Sequence, residues 1–169
     1  MKIKFTGIIF FITLSGCNCN ESQTHQKESG LPDIMPYAVS DEGIVIYWES
    51  ELDPVLIEAY HPSIYDLWLD ELEACLGMKA EPPIVRIVDD VHSVCKNLTQ
   101  DNGGYCRSLE PSVIVINVKI AFDDGLTGDV LEDRRVFKHE STHHVLELNG
   151  VLIHRDHQPE YLWDCQYDF

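Results

Sequence analysis

The chain has 169 residues, of which 44% are hydrophobic and 24% charged, and its formal net charge is −17. This length fits one domain, and the composition excludes wholesale disorder. The acidity argues against nucleic acid as a partner and against adhesion to anionic lipid through a basic patch, because both need a cationic surface. The net charge does not by itself select a substrate or a metal.

The first residues have the features of an export signal. Two lysines precede an apolar run over residues 8–14, which is shorter than the ~20 residues that a membrane-spanning helix needs. The sequence LSGC at residues 14–17 then resembles the lipobox of bacterial lipoprotein precursors. This resemblance implies cleavage before Cys17, a lipid on its sulfur, and a place in the bacterial cell envelope with membrane attachment through that lipid only. A plain secretory signal and a buried N-terminal strand are the alternatives.

A polar segment follows the predicted lipid site. Residues 18–36 lack apolar periodicity and include Gly30 and Pro32, which is typical of a flexible spacer. The sequence therefore predicts a signal peptide over 1–16, a lipidated cysteine with its tether over 17–36, and a domain over 37–169. Cleavage would leave 10 basic against 29 acidic residues, a net charge of −19, because both lysines of the signal are removed.

The hydrophobic pattern of the domain predicts an α+β fold, in which helices pack on a small mixed sheet. In chain order the predicted elements are a strand over about 43–50, a helix from Pro62 to a C-terminal Gly77, a strand over 84–88, a loop between Cys95 and Cys106, a strand over 113–118, and a helix over 130–148 that Asn149 and Gly150 close. The three tryptophans lie in separate elements and are interpreted as core residues.

An exported protein folds where disulfides persist, so the cysteines are interpreted as a disulfide framework. With Cys17 lipidated and Cys19 in the tether, four cysteines remain, with three possible pairings: Cys75, Cys95, Cys106 and Cys165. We favour Cys95–Cys106, which closes a short loop across the turn signal at residues 102–104, and Cys75–Cys165 by elimination. A cysteine zinc site is disfavoured because the chain has no C-x-x-C pair.

The last predicted helix contains the motif H-E-x-x-H, formed by His139, Glu140 and His143. Residues i and i+4 share one face of a helix, so the two imidazoles can bind one metal ion. Glu140 is placed to take a proton from a metal-activated water rather than to bind the metal. The composition gives roughly 0.03 chance matches to this motif. His144 lies about 100° further around the helix, which predicts a supporting or surface position.

A catalytic zinc site usually has three protein ligands, so a further donor is needed. Asn149 and Gly150 permit a chain reversal after the helix. The stretch that follows contains four candidate donors, namely His154, Asp156, His157 and Glu160.

At this cluster the sequence resembles the zincin metallopeptidases, and more narrowly small bacterial lipoproteins in which H-E-x-x-H is followed by a Gly turn, a D-H pair and a late Cys. The resemblance covers about residues 43–165, and its specific part is 139–165. It implies zinc as the cofactor, His157 as the third ligand and a peptide or protein as the substrate. The subfamily stays open, because Leu146 and Asn149 replace the Gly and the third His of the metzincin motif.

Zincins pair the active-site helix with a sheet whose edge strand receives an extended substrate. By that analogy Val113–Val118 is the candidate edge, where a peptide would add by β-augmentation, although the same strand could equally be core. The functional hypothesis is a lipid-anchored zinc metallopeptidase with Glu140 as general base. The alternative is a non-catalytic envelope lipoprotein on a zincin scaffold, whose metal is structural or absent. The sequence leaves the oligomeric state and the cleavage specificity undetermined.

Overall fold

The computed structural model describes residues 27–52, 61–119, 130–151 and 163–166. Its strands are β1 (Glu28–Ser29), β2 (Ala38–Val39), β3 (Val45–Trp48), β4 (Ile84–Val88), β5 (Gly103–Cys106), β6 (Leu109–Glu110) and β7 (Val113–Asn117). Its α-helices are α1 (Pro62–Leu76), which lies between β3 and β4, and α2 (Val130–Leu148), which follows β7. Both helices occupy the spans that the hydrophobic pattern predicts.

Five of the strands form one mixed sheet in the order β2-β3-β4-β7-β5. The central strands β3, β4 and β7 are parallel, whereas β2 and β5 run antiparallel at the two edges. A separate parallel pair joins β1 to β6. The predicted α+β fold with a small mixed sheet is therefore confirmed.

Of the two interpretations of Val113–Val118, core is confirmed and the substrate-receiving edge is wrong. Strand β7 lies between β4 and β5, and all five of its residues are buried. The edge on this side of the sheet is β5, in the stretch that the turn signal at residues 102–104 predicts to be a loop. Both glycines permit close packing, on opposite sides of the strand. A Cβ on Gly103 would lie 2.4 Å from Cγ1 of Val136, so its absence lets α2 approach, whereas a Cβ on Gly104 would lie 2.2 Å from Cδ2 of Leu98.

Both helices pack on one face of the sheet. Helix α1 begins at Pro62 after the cap His61 and ends at Gly77, whose φ of 65° suits a residue without a Cβ. The main core lies between helices and sheet and includes Tyr65, Leu72, Ile87, Ile116 and Phe137.

Within the described residues, no helix is both long enough and apolar enough to cross a membrane.

The opposite face of the sheet is covered by a smaller apolar cluster and by the N-terminal segment. The cluster contains the disulfide Cys95–Cys106, while a second disulfide joins Cys75 to Cys165. These are the two pairings that we favoured from the sequence.

The boundary predicted between tether and domain is displaced. Residues 28 and 29 pair with β6, Gly30 donates its N–H to the carbonyl of Glu110, and Arg86 donates to the carbonyl of Gly30. The chain is therefore attached to the domain from residue 28 rather than from residue 37, because backbone hydrogen bonds hold a segment that lacks apolar periodicity. Cys17 and the predicted signal peptide lie outside the described residues.

Candidate metal centre

Helix α2 places His139, Glu140 and His143 together at the β5 edge of the sheet. One ligand atom from each of the three lies within 4.8 Å of the others. The two imidazole centroids are 5.2 Å apart, with the ring planes at 76°. Two imidazoles bound through their nitrogens to one tetrahedral zinc, at ~2.0–2.1 Å each, would have centroids about 5 Å apart. The group could therefore hold a metal ion, and the spacing of the two imidazoles is compatible with zinc.

Glu140 is buried beside the two histidines. Its Oε1 lies 3.9 Å from Nε2 of His139, and its carboxylate accepts the backbone N–H of Tyr105. Burial raises the pKa of Glu140 to about 7, although the Tyr105 N–H and the positive charge of Arg107 act in the opposite direction. A carboxyl group in this state can take up and release a proton near neutral pH.

The edge strand β5 presents alternate backbone groups to this site. Asn117 donates its N–H to the carbonyl of Asn102 over 2.9 Å, and Gly103 lies opposite Ile116 in the antiparallel register. Hydrogen-bonded and non-bonded pairs alternate along an antiparallel ladder. The N–H and C=O groups of Gly103 and Tyr105 therefore point away from β7. In the described part of the chain, no strand pairs with this side of β5.

Tyr105 also links the strand to the next histidine of the helix. Its ring lies parallel to that of His143, with centroids 6.3 Å apart, and its hydroxyl is 3.4 Å from Nδ1 of His144. Nε2 of His144 donates to the carbonyl of Glu81 over 2.7 Å, which leaves Nδ1 as the acceptor. Burial lowers the pKa of His144, so this imidazole is neutral. His144 thus supports the site from the side and is not part of the donor set, as its position on the helix predicts.

Trp163 covers the other side of the histidine pair. Its ring centroid is 5.1 Å from that of His139 and 4.7 Å from that of His143, and its side chain is buried. Trp163 lies two positions before Cys165, and the disulfide Cys75–Cys165 links this segment to the end of α1. Long-range cross-linking therefore fixes this indole against both imidazoles.

An ion pair between the buried Lys138 and the partly exposed Glu71 joins α2 to α1. Nζ of Lys138, which is 1% exposed, lies 2.6 Å from Oε2 of Glu71, and Arg134 contacts the same oxygen at 2.6 Å. Burial raises the pKa of Glu71, but the two cations outweigh it, so the pKa lies below its ordinary value. Because Lys138 directly precedes His139, this pair also restrains the turn of helix that carries the first histidine.

The structure brings together the three residues of the motif and adds two that the sequence analysis missed. Tyr105 was assigned to a loop, and Trp163 was interpreted as core alone. The position of Trp163 close to a paired cysteine was a signal available in the sequence, whereas nothing in the local pattern singles out Tyr105. The candidate third ligands lie outside the described residues, namely His154, Asp156, His157 and Glu160.

No protein-family model matches the chain, and neither a curated protein sequence nor a solved structure shows significant similarity to it.

Proposed function

We propose that this protein is a lipid-anchored zinc metallopeptidase of the bacterial cell envelope. The observation that carries the proposal is the convergence of His139, Glu140 and His143 beside an edge strand with outward-pointing backbone groups. Two imidazoles supply the nitrogen donors that zinc prefers, and the buried carboxyl group between them has a pKa near 7. His157 is proposed as the third ligand and Cys17 as the lipid site, on the sequence resemblance alone.

When bound, zinc would polarise the scissile carbonyl and lower the pKa of a water molecule. The residues of the chain have distinct parts in the proposed reaction. Glu140 accepts a proton from the attacking water and returns it to the leaving nitrogen. The N–H of Tyr105 holds the carboxylate of Glu140 in place. Trp163 and the ring of Tyr105 restrict the two imidazoles and exclude water from their flanks.

The proposed substrate is an extended peptide that adds to β5. The outward-facing N–H and C=O of Gly103 and the C=O of Tyr105 lie close to Glu140, whose carboxylate accepts the N–H of Tyr105. An added strand that pairs with these groups would therefore run past the carboxylate. The proposed peptide-binding edge is therefore β5 and not β7. Main-chain pairing gives affinity with little sequence selectivity, which fits a small domain that contributes an open edge.

The first test is metal content. The full chain should bind one zinc ion per molecule, and His139→Ala should lose it. The matched control is His92→Ala, since His92 pairs with Asp101 over 2.9 Å outside the site, and this variant should retain zinc. A zinc-free wild type, or a His139→Ala variant that binds zinc as wild type does, would contradict the metal assignment.

The second test is catalysis. A peptide library should be cleaved by the zinc-loaded wild type and not by Glu140→Gln, whose loss we expect to be at least ~100-fold. Glu110→Gln changes an exposed glutamate and should keep full activity. Stoichiometric zinc without Glu140-dependent cleavage would refute the enzyme and favour a non-catalytic lipoprotein with a structural metal.

Two further variants address the residues outside the described ranges. His157→Ala should lower zinc affinity more than His154→Ala does, and the reverse order would move the third ligand. Cys17→Ser should abolish lipid labelling in a bacterial host, whereas persistent labelling would contradict the lipid anchor.

A further inference from the structure

The segment Leu31–Val39, named the apolar arm below, exposes a run of large apolar side chains. Five of its nine residues are large, apolar and at least 44% exposed: Leu31, Ile34, Met35, Tyr37 and Val39. In the remaining described residues, the exposed large apolar side chains are Leu52, Leu67 and Leu148. Single exposed apolar side chains are ordinary, but a contiguous run indicates an interaction surface.

The backbone of the arm is held at both ends. At its start, Gly30 donates to the carbonyl of Glu110 over 3.1 Å and accepts from Arg86 over 3.1 Å. At its end, Tyr37 donates to the carbonyl of Ile46 over 2.8 Å, and β2 pairs with β3. The exposed side chains are thus presented by a fixed segment, which lowers the entropy cost of binding through them.

Amphipathic aromatic residues extend the surface beside the arm. The rings of Tyr37 and Trp48 are 5.9 Å apart, and the indole N–H of Trp48 donates to the carbonyl of Leu52 over 2.8 Å. Trp48 is half-buried, and Leu52 is itself exposed. Tyrosine and tryptophan next to aliphatic side chains are the combination that favours the interface between lipid headgroups and acyl chains.

We propose that the apolar arm is a membrane-contact surface that lies in the headgroup region of a zwitterionic bilayer. The inference rests on the proposed lipid anchor at Cys17 and adds a second contact to it. Cys17 and Lys27 are only ten positions apart, so a fully extended chain places the start of the domain at most about 35 Å from the lipid. The net charge of −19 after the proposed cleavage and the exposed Asp33 in the arm argue against attraction to anionic lipid. The chemistry that remains is apolar insertion.

This contact would orient the candidate metal centre. The arm ends in β2, and the centre lies at β5, on the opposite edge of the five-stranded sheet. Four strand spacings separate the two edges, about 19 Å. With β2 against the bilayer, β5 opens away from it, so the substrate class would be peptides outside the membrane rather than membrane-embedded segments.

Tryptophan quenching by brominated lipid tests the proposal on the full, lipid-modified chain. The protein is reconstituted into phosphatidylcholine vesicles with or without bromine on the acyl chains, and vesicle-bound protein is isolated by flotation. Trp68 and Trp163 are buried, so quenching reports on Trp48, and Trp48→Phe identifies its share of the emission. We expect about a twofold loss of Trp48 emission, since an interfacial group lies ~5–10 Å into the headgroup boundary.

Paired variants separate the arm from the anchor. Ile34→Ser with Met35→Ser should remove most of the quenching while flotation persists, whereas Leu67→Ser with Leu148→Ser should leave it unchanged. Unquenched Trp48 in floated wild type would overturn the proposal. So would a concentration-dependent dimer in detergent that the arm variant dissociates, because a second copy would then occupy the surface.

The outcomes also separate this inference from the proposed enzyme. A chain that fails to float would overturn both the anchor at Cys17 and the membrane surface. Zinc binding and Glu140-dependent hydrolysis would be unaffected by that result. Conversely, a chain without zinc binding or Glu140-dependent hydrolysis would show the same quenching of Trp48.

Discussion

Removal of the disulfide Cys75–Cys165 tests whether a covalent cross-link positions the candidate metal centre. The bond closes a loop of 90 residues, whereas Cys95–Cys106 closes one of 11. The loss of chain entropy in the unfolded state predicts a stabilisation of about 4.6 kcal/mol for the longer loop and about 2.8 kcal/mol for the shorter one. Serine replacement of each pair should therefore lower the free energy of unfolding by amounts that differ by about 2 kcal/mol.

The two disulfides should differ more strongly in their effect on zinc. Cys165 follows Trp163 by two residues, and Trp163 packs on both His139 and His143. Loss of Cys75–Cys165 should therefore loosen the indole and weaken zinc binding by about tenfold or more, as changes next to metal ligands do. The pair Cys95–Cys106 packs on the opposite face of the sheet, but Cys106 follows Tyr105 in β5. Its removal should therefore weaken zinc binding less than the loss of Cys75–Cys165 does.

Urea unfolding of both double variants measures the first effect, and competition with a chromophoric chelator measures the second. Trp163→Leu, which keeps both disulfides, provides a variant that stays folded if the loss of Cys75–Cys165 prevents folding. It should also weaken zinc binding. Equal stability losses would refute the loop-length reasoning. Unchanged zinc affinity in the Cys75–Cys165 variant and in Trp163→Leu would refute the role of the indole.

Three further predictions concern the motif and the edge strand. Without zinc, the raised pKa of Glu140 means that the free energy of unfolding falls as pH rises from about 4.5 to about 7. Urea unfolding should therefore show that Glu140→Gln stabilises the protein by about 3 kcal/mol at pH 8 and by almost nothing at pH 4. Gly103→Ala should cost about 1–3 kcal/mol, and Val136→Ala should relieve part of that loss in a double-mutant cycle, because the new methyl group meets both Val136 and the Val115 carbonyl. Zinc at 100 times its Kd should add about 2.7 kcal/mol to wild type and nothing to His139→Ala, measured by thermal unfolding with and without a chelator.

The ion pair between the buried Lys138 and the partly exposed Glu71 joins α2 to α1. Lys138 is 1% exposed, and its ammonium group has a carboxylate partner on α1 at 2.6 Å. A buried charge with a partner tolerates little displacement, because separation would leave the charge desolvated. His139 directly follows Lys138, so the ion pair between α1 and α2 also affects the position of the His139 imidazole.

Local sequence was sufficient for several features of this protein. The period of a helix places His139 and His143 on one face whatever surrounds them, since residues i and i+4 are neighbours on any α-helix. Gly77 and Gly150, with φ near 65° and 70°, end the helices where the pattern predicts. The central strands were evident because, apart from Arg86 and Asn117, their residues are aliphatic or aromatic.

Tertiary structure alone decided which strand is the edge and what surrounds the histidines. Gly103 and Gly104 resemble a turn in sequence. Only pairing with β7 makes them part of a strand, with Gly103 packed against α2 and Gly104 against Leu98. Tyr105 reaches Glu140 through that register, and Trp163 reaches both imidazoles through a cross-link spanning 90 residues. Both contacts join residues distant in the chain, and local periodicity contains no information on such pairings. The motif therefore follows from the sequence, whereas its environment depends on the fold.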